Sequence, residues 1–294
     1  MRVVVYAFGL VAACLLGLGY VLQQHAAERA PLSDMLSFRL LLDLVRVPLW
    51  LGGIGCMVVG QILGALALTV GDLSRVEPLL ATNLLFAMAL ARWLSDQALG
   101  RAGWAGVVAL SGGVAVFIVA GRPEQGGGHV GPLRYWLVLA LLLAVSGALV
   151  LAALAVDLVH RPPLLAGSAG VLYGVQDAMT RASGTIASHS GISRLVVSWQ
   201  PWAVVAAAVV GLMLVQSAFE AGPLRESLPP MTAAEPLAGI ACGIGLFDDR
   251  LSSTPAALAG QAVAVVAVFA GVFLLGRHPA MPAGRRKETG QDTR

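Results

Sequence analysis

Residues 67–80 read ALTVGDLSRVEPLL, and residues 218–231 read AFEAGPLRESLPPM. In each, an apolar run ends at a glycine, Gly71 or Gly222, and seven residues later comes a proline, Pro78 or Pro229. The two stretches lie 151 residues apart, so the chain writes one pattern twice. Three further echoes fall in the same order. LLGLGYVLQQHA (15–26) matches AGVLYGVQDAMT (169–180), which sets Tyr20, Gln23 and Gln24 opposite Tyr173, Gln176 and Asp177. VPLW (47–50) matches QPWA (200–203), and VAGRPE (119–124) matches LLGRHP (274–279). Four matches at offsets of about 151–158 residues read as an internal duplication.

What is duplicated is membrane-like sequence. The 294 residues are 57% hydrophobic and only 12% charged, with a mean hydropathy of +0.81. Soluble domains carry roughly 25% charged residues. A spanning helix needs about 20 apolar residues. Nine runs approach that length, at about Val3–Gln23, Trp50–Val70, Leu73–Leu94, Ala102–Ala120, Leu133–Val156, Pro163–Ala182, Leu195–Phe219, Leu224–Phe247 and Pro255–Leu275. The runs are continuous, not alternating as in a barrel strand. The fold class predicted is therefore an all-α polytopic membrane protein.

The remaining segments read as follows. Residues 31–46 carry Arg39, Asp43 and Arg46 on a Leu- and Phe-rich stretch. Each charge costs about 2.5–3.5 kcal/mol at the bilayer centre, so an interfacial amphipathic helix is expected, not a span. The domain reading is an N-terminal repeat over 1–121, a linker and connecting span over 122–160, a C-terminal repeat over 161–276, and a disordered cytoplasmic tail over 277–294. Cys14, Cys56 and Cys242 lie far apart in apolar runs and show neither disulfide nor metal-ligand spacing. Trp50 and Trp202 are expected in the aromatic belts, and Asp248 and Asp249 in a solvated turn.

Parity decides the architecture. Spans 1–4 pair with spans 6–9, each five apart, and an odd separation reverses membrane direction. The halves are therefore expected to be inverted repeats, with the fifth span as connector. Inverted repeats are a hallmark of secondary transporters. Of the 19 Lys and Arg residues, seven fall on the N-terminal side and twelve on the other, four of them after Pro279. The positive-inside rule then places the C-terminus in the cytoplasm and the N-terminus outside a bacterial plasma membrane.

The in-span polar residues give the candidate site. Glu77-Pro78 opens the third run, where an acid at a helix start is favoured by the dipole. Glu235 lies eleven residues past Leu224, near the midplane, where a carboxylate is costly unless it serves a site. Pro229, Pro230 and Pro236 crowd the same run and predict a helix broken or kinked around Glu235, presenting carbonyls to a cation. Gln23, Gln24, Gln176 and Asp177 come from the repeat-related spans 1 and 6; interhelical hydrogen bonding is the plainer role for them. Gln61, Asn83 and Gln216 stand behind them on the same reasoning. The chain shows no catalytic triad, metal-ligand His cluster or phosphate-binding loop, so neither an enzyme nor a cofactor is expected, and no nucleic-acid partner.

The Glu/Gln-Pro-Leu pattern after an alanine-rich span resembles the drug/metabolite transporter superfamily (EamA-like). PLWLGGIGCMVVGQILGALAL (48–68) and AGPLRESLPPMTAAEPLAGIACGIGLFDDRL (221–251) look most like the NIPA-type magnesium transporters and their actinobacterial relatives. The resemblance covers about residues 5–276. One departure is Asp248-Asp249-Arg250, where many members have Gly-Glu-Arg. It implies alternating access for a small solute or cation, Mg²⁺ among them with Glu235 as a ligand, and admits a homodimer. Exchange of protons for a small metabolite or organic cation stands as the alternative, and a non-transporting scaffold as a third reading that the short loops disfavour.

Overall fold

The computed structural model describes residues 2–29, 35–70, 76, 79–94, 99–122 and 130–276, and ten α-helices occupy them. In chain order they are α1 (Arg2–Ala27), α2 (Phe38–Leu44), α3 (Pro48–Val70), α4 (Asn83–Leu94) and α5 (Arg101–Gly121). Then follow α6 (Pro132–Ala155), α7 (Arg161–Val197), α8 (Gln200–Ala221), α9 (Leu224–Phe247) and α10 (Pro255–Gly276). Seven of them, α1, α3, α5, α6, α8, α9 and α10, are long and apolar enough to cross a bilayer. The 24 residues of α6 would span about 36 Å at 1.5 Å per residue. The chain is thus a multi-pass membrane protein by length and composition.

Three expectations about element limits change. The third run appears as the twelve-residue apolar α4, with Glu77 and Pro78 outside the described residues. The sixth run does not stop at Ala182: α7 continues for 37 residues to Val197. Along its polar continuation Ser183, Thr185 and Ser188 return their hydroxyls to carbonyls one turn back, which satisfies them within the helix. Gly191 interrupts it at φ 80°, a conformation that suits only glycine well. The interfacial helix expected over 31–46 is limited to Phe38–Leu44. Ser37 caps it, Leu40 and Leu44 turn inward, and Asp43 and Arg46 pair outside at 3.3 Å.

Small residues set the helix pairs. Gly17 of α1 lies against the backbone of Asn83 and Ala87, and Gly9 lies against Leu79, so α1 and α4 run parallel. Gly170 and Gly174 of α7 do the same to Met231 and Glu235 of α9. Gly53 and Gly60 of α3 meet Gly19 and Ala12 in reverse order, so α1 and α3 are antiparallel. Gly106, Gly113 and Ala120 of α5 meet Gly271, Ala264 and Gly260 of α10, again antiparallel. At each step the missing Cβ lets backbones approach where lipid offers no hydrophobic drive to associate.

Of the break or kink expected in the eighth run, the break does not occur. α9 is continuous from Leu224 to Phe247 with Pro229, Pro230 and Pro236 inside it. Its partner explains this: a Cβ at Gly170 would stand 2.5 Å from the Met231 carbonyl, and at Gly174 2.5 Å from that of Glu235. Tight packing along α7 holds the helix where three donors are missing, as neighbours do for proline in membranes. Trp50 is also not in a belt. It is 4% exposed and packs in the main core with Leu84 and Phe219, whereas Trp202 is 63% exposed, as expected of a belt.

Candidate functional site: a cavity walled by both halves

The last turns of α1 carry the polar cluster toward the centre. Tyr20, Gln23 and Gln24 fall within five residues of a helix whose only charged or imidazole side chains are Arg2 and His25 near its ends. Helical spacing turns Tyr20 and Gln23, three residues apart, to one face. Across from them α7 presents Tyr173. Between lies a cavity of about 330 Å³, walled by Tyr20, Gln23, Ile54, Met57, Val58, Gln61, Ile62, Tyr173, Leu212 and Val215. Four helices contribute: α1 and α3 from the N-terminal half, α7 and α8 from the C-terminal half. Tyr20 and Tyr173, matched in the sequence comparison, thus face one space.

On one side the two halves touch. The Gln216 amide of α8 donates to Gln23 Oε1 at 2.5 Å, and both residues are buried. Tyr20 meets the Phe219 ring edge-on at 6.5 Å between centroids. The Leu36 backbone N–H donates to the Ser217 hydroxyl at 2.9 Å, so the chain entering α2 lies over the end of α8. Two further glutamines, Gln61 and Gln176, are not joined. Gln61 lines the cavity and is exposed, and Gln176 Oε1 is buried with no hydrogen-bond partner.

The acidic candidates sit beside the cavity, not within its wall. Glu235 is half-buried where α9 crosses Gly174, within electrostatic range of both Tyr20 and Tyr173. Asp177, one turn further along α7, is exposed and within range of Tyr20 and Cys242. Gln24 is buried and turns to the end of α1, where it hydrogen-bonds Glu28. Glu77 and Pro78 lie outside the described residues. Pro229 and Pro230 belong to the packed start of α9, and Pro236 lines a small apolar crevice with Val114 and Phe117. Among the described residues no group of three or more His, Cys, Asp and Glu could hold a metal ion.

Some functional chemistry escaped the sequence reading. Tyr20 and Tyr173 were visible as repeat partners but not as wall residues; their matching register was the available signal. Asp248 and Asp249 do not form a merely solvated turn. Arg181 forks onto Asp249 at 2.5 and 2.9 Å and lies over the Phe247 ring at 4.4 Å. Arg134 reaches Asp248 at 3.2 Å and the Ile244 carbonyl at 2.6 Å. Asp248, in the left-handed conformation at φ 57°, caps α9 and aims the pair back at α6 and α7. Sequence spacing gives no hint of contacts 68 and 114 residues apart.

The chain is similar to an uncharacterized protein of Corynebacterium glutamicum, 29% identical over 281 residues, which cover 95% of this chain and 97% of that protein. No protein-family model matches the chain, and no solved structure matches it.

Proposed function

We propose that the protein is a secondary transporter, moving a small solute across the plasma membrane by alternating access. The observation that carries this reading is the cavity between α1, α3, α7 and α8, with Tyr20, Gln23, Gln61 and Tyr173 in its wall. Polar groups at membrane depth are costly, and a solute pathway is what most readily accounts for them. The reading takes α4 and the first part of α7 as spans beside the seven long apolar helices, which makes nine. It places the chain in the drug/metabolite transporter superfamily, near the NIPA-type proteins, with the N-terminus outside and no catalytic step.

Helix directions support the inverted repeat. α1 runs parallel to α4, α7 runs parallel to α9, and α5 runs antiparallel to α10. If the short α4–α5 and α9–α10 connections reverse direction, α7 runs opposite to α1. Each helix of one half then has an oppositely directed counterpart in the other, the arrangement that gives two related gates around one site.

For the cargo, the wall combines two tyrosines and two amides with Met57 and five aliphatic side chains, and Glu235 lies within electrostatic range of Tyr173. That lining suits a small organic solute bearing a cationic group, exchanged for protons on Glu235. Mg²⁺ is the second reading, favoured by the carboxylates of Glu235 and Asp177 near Tyr20; the ion would keep several waters. Purified protein in liposomes, offered Mg²⁺, polyamines and labelled metabolites, tests the function. Saturable uptake above that of protein-free liposomes is expected for one class. Uptake at the protein-free rate for all of them, with either a pH gradient or a membrane potential imposed, would sink the transporter reading.

A further inference from the structure

Gln23 and Gln216 close one side of the cavity, and each has a counterpart in the other half. Gln176 stands 153 residues after Gln23, and Gln216 stands 155 residues after Gln61, both within the offsets of the repeat. The faces correspond as well. α3 turns Met57, Val58 and Gln61 to the cavity, and α8 turns Leu212 and Val215 to it, with Gln216 adjoining. One pair, on α1 and α8, is joined and buried. The other, on α3 and α7, is not joined: Gln61 is exposed, and the Gln176 Oε1 atom is buried without a partner, as Gln216 Oε1 is within the joined pair. A buried amide oxygen without a donor costs free energy, and that cost is removed only if a donor arrives.

From this asymmetry we infer that Gln61 and Gln176 form the second gate, and that the two glutamine pairs are made alternately. When the Gln23–Gln216 contact opens, α3 closes on α7 and the Gln61 amide donates to Gln176 Oε1. Each hydrogen bond lost on one side is replaced by its repeat-related equivalent on the other. The exchange therefore leaves the two states nearly equal in polar satisfaction, as a reversible carrier needs. The inference rests on the transporter reading and adds to it the residues that seal each state.

The test uses the full chain in liposomes, with its three native cysteines replaced by serine and spin labels on a cysteine pair. One variant carries labels at positions 23 and 216, the other at 61 and 176. Two distances are expected in each, and conditions that lengthen 23–216 should shorten 61–176. A variant that keeps the Gln61 and Gln176 amides serves as a second measurement: labels on neighbouring Ile62 and Val175, with Gln216→Leu added. Loss of one interhelical hydrogen bond should raise the short-distance population about threefold. Exchange of distances in a protein that carries none of the offered solutes would support the gates and leave the cargo reading to fall alone. A single long 61–176 distance, and a 62–175 distance unmoved by Gln216→Leu, in a protein that transports, would overturn the second gate alone.

Discussion

Arg181 and Glu28 mark two single-residue environments at the ends of spans. The Arg181 side chain is 31% exposed and that of Asp249 14%, so removing either strands a largely buried charge. Asp249→Ala should cost about 1–3 kcal/mol, read as a lower melting temperature in detergent. Arg134 and Asp248 are 48% and 38% exposed, and Asp248→Ala should cost less than about 1 kcal/mol. Equal losses at the two sites would contradict this ranking. At Glu28, burial pushes the carboxyl above its usual range, opposed by the Gln24 hydrogen bond and by His25 and Arg29. A raised acid favours the folded state below its ordinary pKa and loses that contribution as pH rises through the folded value. Glu28→Gln should therefore raise the melting temperature at about pH 7, with the gain vanishing toward about pH 4. An unchanged gain at acid pH would show that burial is not the cause.

At the scale of the helix, the glycines of α7 decide more than the prolines of α9. Gly174→Ala would put a Cβ 2.5 Å from the Glu235 carbonyl and 2.6 Å from the Gly239 nitrogen, both backbone atoms that cannot rotate away. We expect a loss of about 1–3 kcal/mol or failure to fold, whereas Gly52→Ala, with nothing within 4 Å, should stay within about 0.5 kcal/mol of the parent. Thermal unfolding of the two variants checks the contrast. The same contrast shows what sequence could tell. Apolar run lengths located nearly every helix, because lipid demands about 20 apolar residues whatever the neighbours do. The three prolines announced a broken or kinked helix, and the break is absent because continuity depends on what lies against the helix. Gly170 and Gly174 mattered through Met231 and Glu235, some 60 residues away, and no local pattern records that pairing. The length of α7 past Ala182 was hidden likewise, since hydropathy marks where a membrane would end and not where a helix does.

For the molecule as a whole, the proposed duplication rests on the same residues recurring at the same spacing. Tyr20, Gln23 and Gln24 against Tyr173, Gln176 and Asp177 pointed to spans 1 and 6, and the cavity has Tyr20, Gln23 and Tyr173 in its wall. The remainder of the wall, Ile54, Met57, Leu212 and Val215, is ordinary apolar sequence until tertiary packing turns it inward. Glu235 was legible as a costly carboxylate, and it lies within electrostatic range of both tyrosines, where we propose its role in the site. Counterflow of labelled solute in liposomes, comparing the parent with Glu235→Gln, tests that role most directly. For the solute the parent carries, we expect the variant to lose at least about tenfold in rate, equivalent to about 1.4 kcal/mol, while melting like the parent. A well-folded Glu235→Gln protein that transports at the parental rate would contradict a site built around this carboxylate.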